Sequence, residues 1–269
     1  MVDEKTKISS IFPILLMGLL FVIIHSLALL VIAPFEAAGV SPAFENPDDP
    51  SNIIYIFVII LVITLLILLI AKYWKKQFIQ VIILGAIGYT AAYVFYPLLT
   101  LIIQPFFSLI ITLFLAVILV LILYKYPEWY IIDITGIIVG AGAIAIFGIS
   151  LGILLVIILL LGLAIYDAIS VYKTKHMVDL ADTVMDLKLP VLLVVPKVRH
   201  YSLIKETKSL KEKLKEDEER DAFFMGLGDI VMPGILVAAI YHNITNGLPL
   251  ALSVIIGTLA GFVILMKIG

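Results

Sequence analysis

Eight apolar runs, at about 11–33, 52–71, 78–96, 105–124, 130–148, 150–172, 222–241 and 248–266, constrain this chain more than any other feature. A helix rises 1.5 Å per residue, so roughly 20 residues cross about 30 Å of hydrocarbon. Inside lipid each peptide N–H and C=O needs a partner within the protein, which makes helices the form such runs take. Composition agrees: 63% of residues are hydrophobic, 14% are charged and the mean hydropathy is +1.20. Soluble domains stand near 45–50% and about 25%. The predicted fold class is all-α, a polytopic transmembrane helical bundle of eight spans. Pro97 and Pro105 mark a turn between spans three and four. The first run exceeds a signal-peptide core and reads as a retained span. No internal repeat of the transporter kind is visible.

Charge orients the bundle. All 18 Lys and Arg residues fall on one side when the chain crosses eight times, 11 of them between Lys173 and Arg220. The positive-inside rule therefore assigns the amino terminus and the loop 173–221 to the cytoplasm. The other side carries Glu36, Glu45, Asp48 and Asp49. The chain divides into spans one to six over 1–172, the cytoplasmic loop 173–221, and spans seven and eight over 222–269. Within the loop, "KETKSLKEKLKEDEER" reads as an exposed helix or tether. "LPVLLVVP" at 189–196 is too short to span and reads as a strand or a membrane-surface segment.

Whole classes of chemistry are excluded or disfavoured. Without cysteine there is no disulfide, thiol nucleophile or zinc-thiolate cluster. His25, His176, His200 and His242 lack ligand spacing, so neither a metal nor a cofactor is expected. His25 is expected to bond a neighbouring helix. No phosphate loop or nucleic-acid patch is present; the basic loop suits topology and lipid headgroups. "NIT" at 243–245 is an outward-facing sequon.

Two acids stand inside the apolar runs. Asp167, in "AIYDAIS", lies six residues before Lys173, and Asp229, in "GLGDIVMPGI", nine after Arg220. At helical rise these are depths of about 9 and 13 Å on antiparallel spans. The two carboxylates can therefore meet. A central aspartate costs about 2.5–3.5 kcal/mol on insertion scales and marks function. Asp133, near the start of span five, reads as an ordinary helix-end acid. Gly226 and Gly228 thin the helix beside Asp229. Pro233 lacks the N–H that would bond the carbonyl of residue 229, so span seven is expected to loosen there within a hydrated cavity. "GIIVG" at 136–140 reads as helix packing. Two like carboxylates in contact are expected to share one proton, the arrangement of an aspartic protease.

Tyr166–Asp167 in one span, a basic loop, and "GLGD" at 226–229 in the next resemble the presenilin and signal peptide peptidase family of intramembrane aspartyl proteases. "GLGDIVMPGI" is most like the signal peptide peptidase branch, and the small, cysteine-free chain is like a prokaryotic, archaeal member, which implies a multi-pass plasma-membrane protein. The resemblance implies Asp167 and Asp229 as the catalytic dyad, supported by Tyr166, Gly226, Leu227, Gly228 and Pro233. It implies transmembrane helices of other proteins as substrates within lipid, unwound and added as a strand to an edge. Leu189, Val191, Leu192, Leu193, Val194 and Val195 are the candidates for that edge. No accessory subunit is expected, and homo-oligomerisation stays open. In the family a ninth span opens on a PAL sequence. "LPLAL" at 248–252 is similar but heads span eight, which leaves that border unmatched and implies weakened cleavage.

Two alternatives carry the same acids. A proton-coupled transporter or channel would use them as a relay. A prepilin-type peptidase would use the GxGD acid, but close to the cytoplasmic surface.

Overall fold

The computed structural model describes residues 11–73, 76–169, 190–198, 201–204 and 221–268. In chain order these form α1 (Ile11–Ala37), α2 (Ser51–Tyr73), α3 (Lys76–Thr100), α4 (Pro105–Lys125), α5 (Trp129–Ser150) and α6 (Ile153–Ile169). Strands β1 (Leu192–Pro196) and β2 (Ala222–Gly226) follow, then α7 (Leu227–Asn243) and α8 (Leu248–Ile268). The expected eight helices are present. Five of them, α1, α3, α4, α5 and α8, are long and apolar enough to cross a membrane; Ser51–Ile67, α6 and α7 are shorter apolar helices. The helical bundle carries one addition, a two-stranded antiparallel sheet. Leu189 and the charged stretch 205–220 lie outside the described residues.

Two boundaries differ from expectation. Pro97 does not end α3, which runs on to Thr100, whose hydroxyl donates to the Pro97 carbonyl at 2.8 Å. The turn occupies residues 101–104, and Pro105 opens α4 at its first position, where no amide is needed. Span seven does not start at 222, because residues 222–226 are strand and the helix begins at Leu227. On the acidic side, the Ser51 N–H donates to Asp49 Oδ1 at 2.9 Å at the head of α2. That backbone bond, with one from the Ser51 side chain, holds the Asp49 carboxyl below its ordinary range.

At the centre, α1, α5 and α7 pack around one apolar core that includes Ile24, Val31, Ile144, Ala145, Ile230 and Ala238. Lipid is as apolar as these side chains, so close packing rather than the hydrophobic effect holds such helices together. Helix α5 supplies the close approach. A Cβ added at Gly140 would stand 3.2 Å from the Leu227 side chain and 3.4 Å from Ile24, and Gly148 lies directly against Ala238. Both helices advance together along this contact, so α5 and α7 run in the same direction. Helix α6 packs on α7, α3 on α5, α4 on α3, and α8 on α7 and α1.

The sheet is wedged into one end of this bundle. Leu193, Val195, Phe223 and Met225 pack into the central core, whereas Val194, Ala222 and Phe224 join a second cluster with Ile79, Ile87, Leu123 and Ile132. The alternation places successive side chains on opposite faces, so both faces are covered.

Gly148→Val should lower the midpoint of thermal unfolding in detergent, a destabilisation of about 1–3 kcal/mol, because Ala238 offers only its backbone and Cβ. Gly257→Val, where an added Cβ meets nothing within 4 Å, should leave the midpoint unchanged.

Candidate active site

The sheet decides how α7 begins. "AFFMG" at 222–226 is apolar and merges with the helix in the sequence, yet Leu192–Pro196 draws it into an antiparallel ladder, Leu192 opposite Gly226 and Pro196 opposite Ala222. Gly226 (φ −59°, ψ 130°) is the non-helical cap of α7. The Leu227 N–H donates to the Val191 carbonyl at 2.9 Å, which ties the first helical residue to the chain entering β1. A depth for Asp229 based on helical rise does not apply across this stretch, since a strand advances about 3.3 Å per residue.

Asp229 is the third residue of α7. Its carboxylate accepts the Gly226 N–H, one half of a capping box. The first turn leaves its other N–H groups without helical acceptors, so positive partial charge gathers around the acid. Asp167 lies in the last turn of α6, which packs antiparallel on α7, and Asp229 is within its electrostatic reach. Both aspartates are exposed at the protein surface, and Tyr166 beside Asp167 is 42% exposed. The last turn of α6 and the first turn of α7 thus place the two acids within electrostatic reach of each other.

The supporting residues have separate places. A Cβ at Gly226 would stand 3.0 Å from Asp229 Oδ2, so a side chain there would crowd the carboxylate. An added Cβ at Gly228 meets nothing within 4 Å among the described residues, so the helix is thinned there without a neighbour packed into the space. Leu227 is buried against Gly136 and Gly140 of α5. Pro233 lies one turn after Asp229 within a continuous α7.

The run at 191–195 forms most of β1, with Leu193, Val194 and Val195 buried and Val191 at 38% exposure. Its two edges are distinguishable. Leu193, Val195 and Lys197 turn their peptide groups toward β2, where the Lys197 N–H donates to the Asp221 carbonyl at 2.8 Å. Leu192, Val194 and Pro196 face the other way; Pro196 has no N–H, and the Val194 N–H donates to Asp133 Oδ1 at 2.8 Å. The outer edge of β1 is therefore taken at Val194 and lacks a donor at Pro196. On β2 the corresponding outward residue is Phe224, and it has no strand partner among the described residues. Leu189 lies outside them.

Asp133 is thus no ordinary helix-end acid. It is 5% exposed and bonded to a strand 61 positions away. Nothing local in the sequence signals that partner. His25 also differs from expectation: it is fully buried, its Nδ1 donates to the Phe21 carbonyl of its own helix at 2.8 Å, and its ring stacks on Phe21. Asn243 of the sequon ends α7, and its amide donates to the Ala239 carbonyl. Among the described residues no group of three acids or histidines is placed to hold a metal.

A family model described as signal-peptide peptidase, presenilin aspartyl protease matches residues 17–269. The chain belongs to this family. Two crystal forms, C222 and P2, of a presenilin family intramembrane aspartate protease are 32% identical to it. They superpose with TM-scores of 0.68 and 0.67 over 95% of this chain and 88% and 87% of theirs. Among curated proteins none matches significantly. This member of the presenilin family is accordingly an integral membrane protein and an aspartic endopeptidase acting within the membrane. The comparisons lend nothing to the transporter reading.

Gly226→Val should cut the turnover of a membrane-embedded peptide by about tenfold or more while leaving thermal unfolding close to wild type, since the crowded group is Asp229 and a misplacement near 1 Å suffices.

Proposed function

We propose that Asp167 and Asp229 are the catalytic dyad and that the substrate is a transmembrane helix of another protein, unwound locally and cut near the cytoplasmic side. The single observation that carries this reading is the juxtaposition of Asp167, at the end of α6, with Asp229, at the start of α7. The pair works with one proton. The ionised carboxylate takes a proton from water as the water oxygen attacks the peptide carbonyl carbon, and the protonated carboxyl donates to the carbonyl oxygen. A neutral gem-diol results. Its collapse breaks the C–N bond as the nitrogen receives a proton and one diol hydroxyl returns its own, which restores the singly protonated pair. Which aspartate starts as base belongs to the pair rather than to either residue.

The receiving edge on this reading is β2. The candidate run 191–195 is favoured less because its outward groups are occupied at Val194 and absent at Pro196. Phe224 offers an outward N–H and C=O two residues before the cap of α7, and the space at Gly228 is open beside Asp229. Strand addition there supplies backbone hydrogen bonds to a helix that has lost its own. Tyr166, Leu227 and Pro233 support the dyad. Topology completes the reading: the amino terminus and loop 173–221 face the cytoplasm of a prokaryote, spans one to six fill 1–172, and spans seven and eight follow β2, from Leu227 onward. The enzyme acts without an accessory subunit, and homo-oligomers are compatible with it.

Mass spectrometry of products from a single-span substrate in lipid tests the dyad: Asp167→Asn and Asp229→Asn should each abolish fragments that arise within the span. Retained cleavage in either variant would refute the assignment. Because activity requires one proton on the pair, the rate should rise and then fall with pH; a rate that climbs to a plateau at high pH would exclude the acid role. Phe224→Pro removes the outward N–H and should raise KM or abolish cleavage, whereas Phe224→Leu should be tolerated.

A further inference from the structure

We propose that Asp133 is a positioning residue for this reaction: its hydrogen bond to Val194 fixes the sheet on α5 and so sets which substrate peptide bond meets Asp167 and Asp229. The proposal rests on strand addition at β2 as argued above. Asp133 is an acid buried in a membrane helix, an expensive placement, and the polar contact that accounts for it is the peptide N–H of β1. The sheet could have been held by apolar contact alone, since Leu193, Val194 and Val195 are all buried. Such contact is non-directional, however, and ties no single peptide group to a fixed point on α5. A hydrogen bond to one amide does.

From that amide an unbroken series of backbone bonds leads to the reacting group. Val194 is opposite Phe224, which has no second strand partner among the described residues. The same ladder aligns Leu192 with Gly226, the Leu227 N–H bonds the Val191 carbonyl, and the Gly226 N–H bonds the Asp229 carboxylate. The edge that would hold the substrate and the acid that would cut it thus share one reference point. Helix α5 makes that point firm. One turn beyond Asp133, Gly136 leaves room for Leu193, where an added Cβ would come within 2.8 Å of its Cδ2. Just before α5, Glu128 accepts from the Ser202 hydroxyl at 2.6 Å and the Leu203 N–H at 3.1 Å, which ties down the chain beyond β1.

A role in register predicts a shift in where the substrate is cut. A role only in stability predicts fewer active molecules cutting at the same bonds. The full chain is reconstituted in lipid with a single-span substrate, and kcat and product masses are measured for wild type, Asp133→Asn, Asp133→Leu and Asp229→Asn. Asp133→Asn, whose amide oxygen still accepts from Val194, should keep the wild-type cut positions and a rate within about threefold. Asp133→Leu should spread cleavage over neighbouring bonds and lower kcat roughly tenfold to a hundredfold. If Asp133→Leu does not fold, Val194→Pro decides, since it deletes the same bond from the other end and leaves the ladder to β2 whole. Cleavage at unchanged positions in the deciding variant overturns the proposal, whatever its rate, and so does an Asp133→Asn that shifts them. If Asp229→Asn is silent while Asp133→Leu matches wild type, the proposal alone falls; if Asp229→Asn still cuts, the dyad falls with it.

Discussion

A strand inside a membrane bundle also has peptide groups that point away from its partner strand, and the bond from Val194 to Asp133 satisfies one such group on β1. Without it, a buried amide would lack an acceptor at a cost of about 1–3 kcal/mol. With it, β1 presents its other edge to residues 222–226 and turns what would have been the first turn of α7 into a strand. The start of α7 is consequently displaced to Leu227, and Asp229 enters the first helical turn rather than the interior of a span.

That displacement has chemical consequences. An acid in mid-helix would point among the side chains of its neighbours, whereas an acid in the first turn lies next to free peptide N–H groups and an open surface. Asp229 gains the Gly226 N–H as a fixed partner and faces the end of α6, where the chain leaves the core and Asp167 is exposed. Both carboxylates are exposed at the protein surface. On the proposed reading the β2 edge, where Phe224 has no second strand partner among the described residues, is the template for extended backbone next to that acid pair.

The helical framework was legible because long apolar runs in lipid have few alternatives, and the distribution of basic residues then dictates a consistent number of crossings. Asp167 and Asp229 were legible as a pair because each is a costly exception within such a run. The sheet was only half visible. Residues 189–196 stood out by the flanking prolines, but 222–226 adjoin a helix and are equally apolar, and so short a run does not reveal its period. The aromatic pair Phe223–Phe224 before Gly226 was the available hint. Asp133 does not stand out in the sequence because a carboxylate near a helix end is ordinarily solvated, and its partner Val194 is set by tertiary packing alone. Pro97 reads as a helix end because proline lacks an N–H, yet α3 continues past it to Thr100.

The measurement that tests the central claim most directly is a structure of the protein bound to a peptide mimic of the gem-diol. The account predicts the mimic's hydroxyl between the carboxylates of Asp167 and Asp229, with its backbone extended along the outer edge of β2 and bonded to Phe224. A hydroxyl distant from either aspartate, or a mimic lying along the β1 side at Asp133, would contradict it.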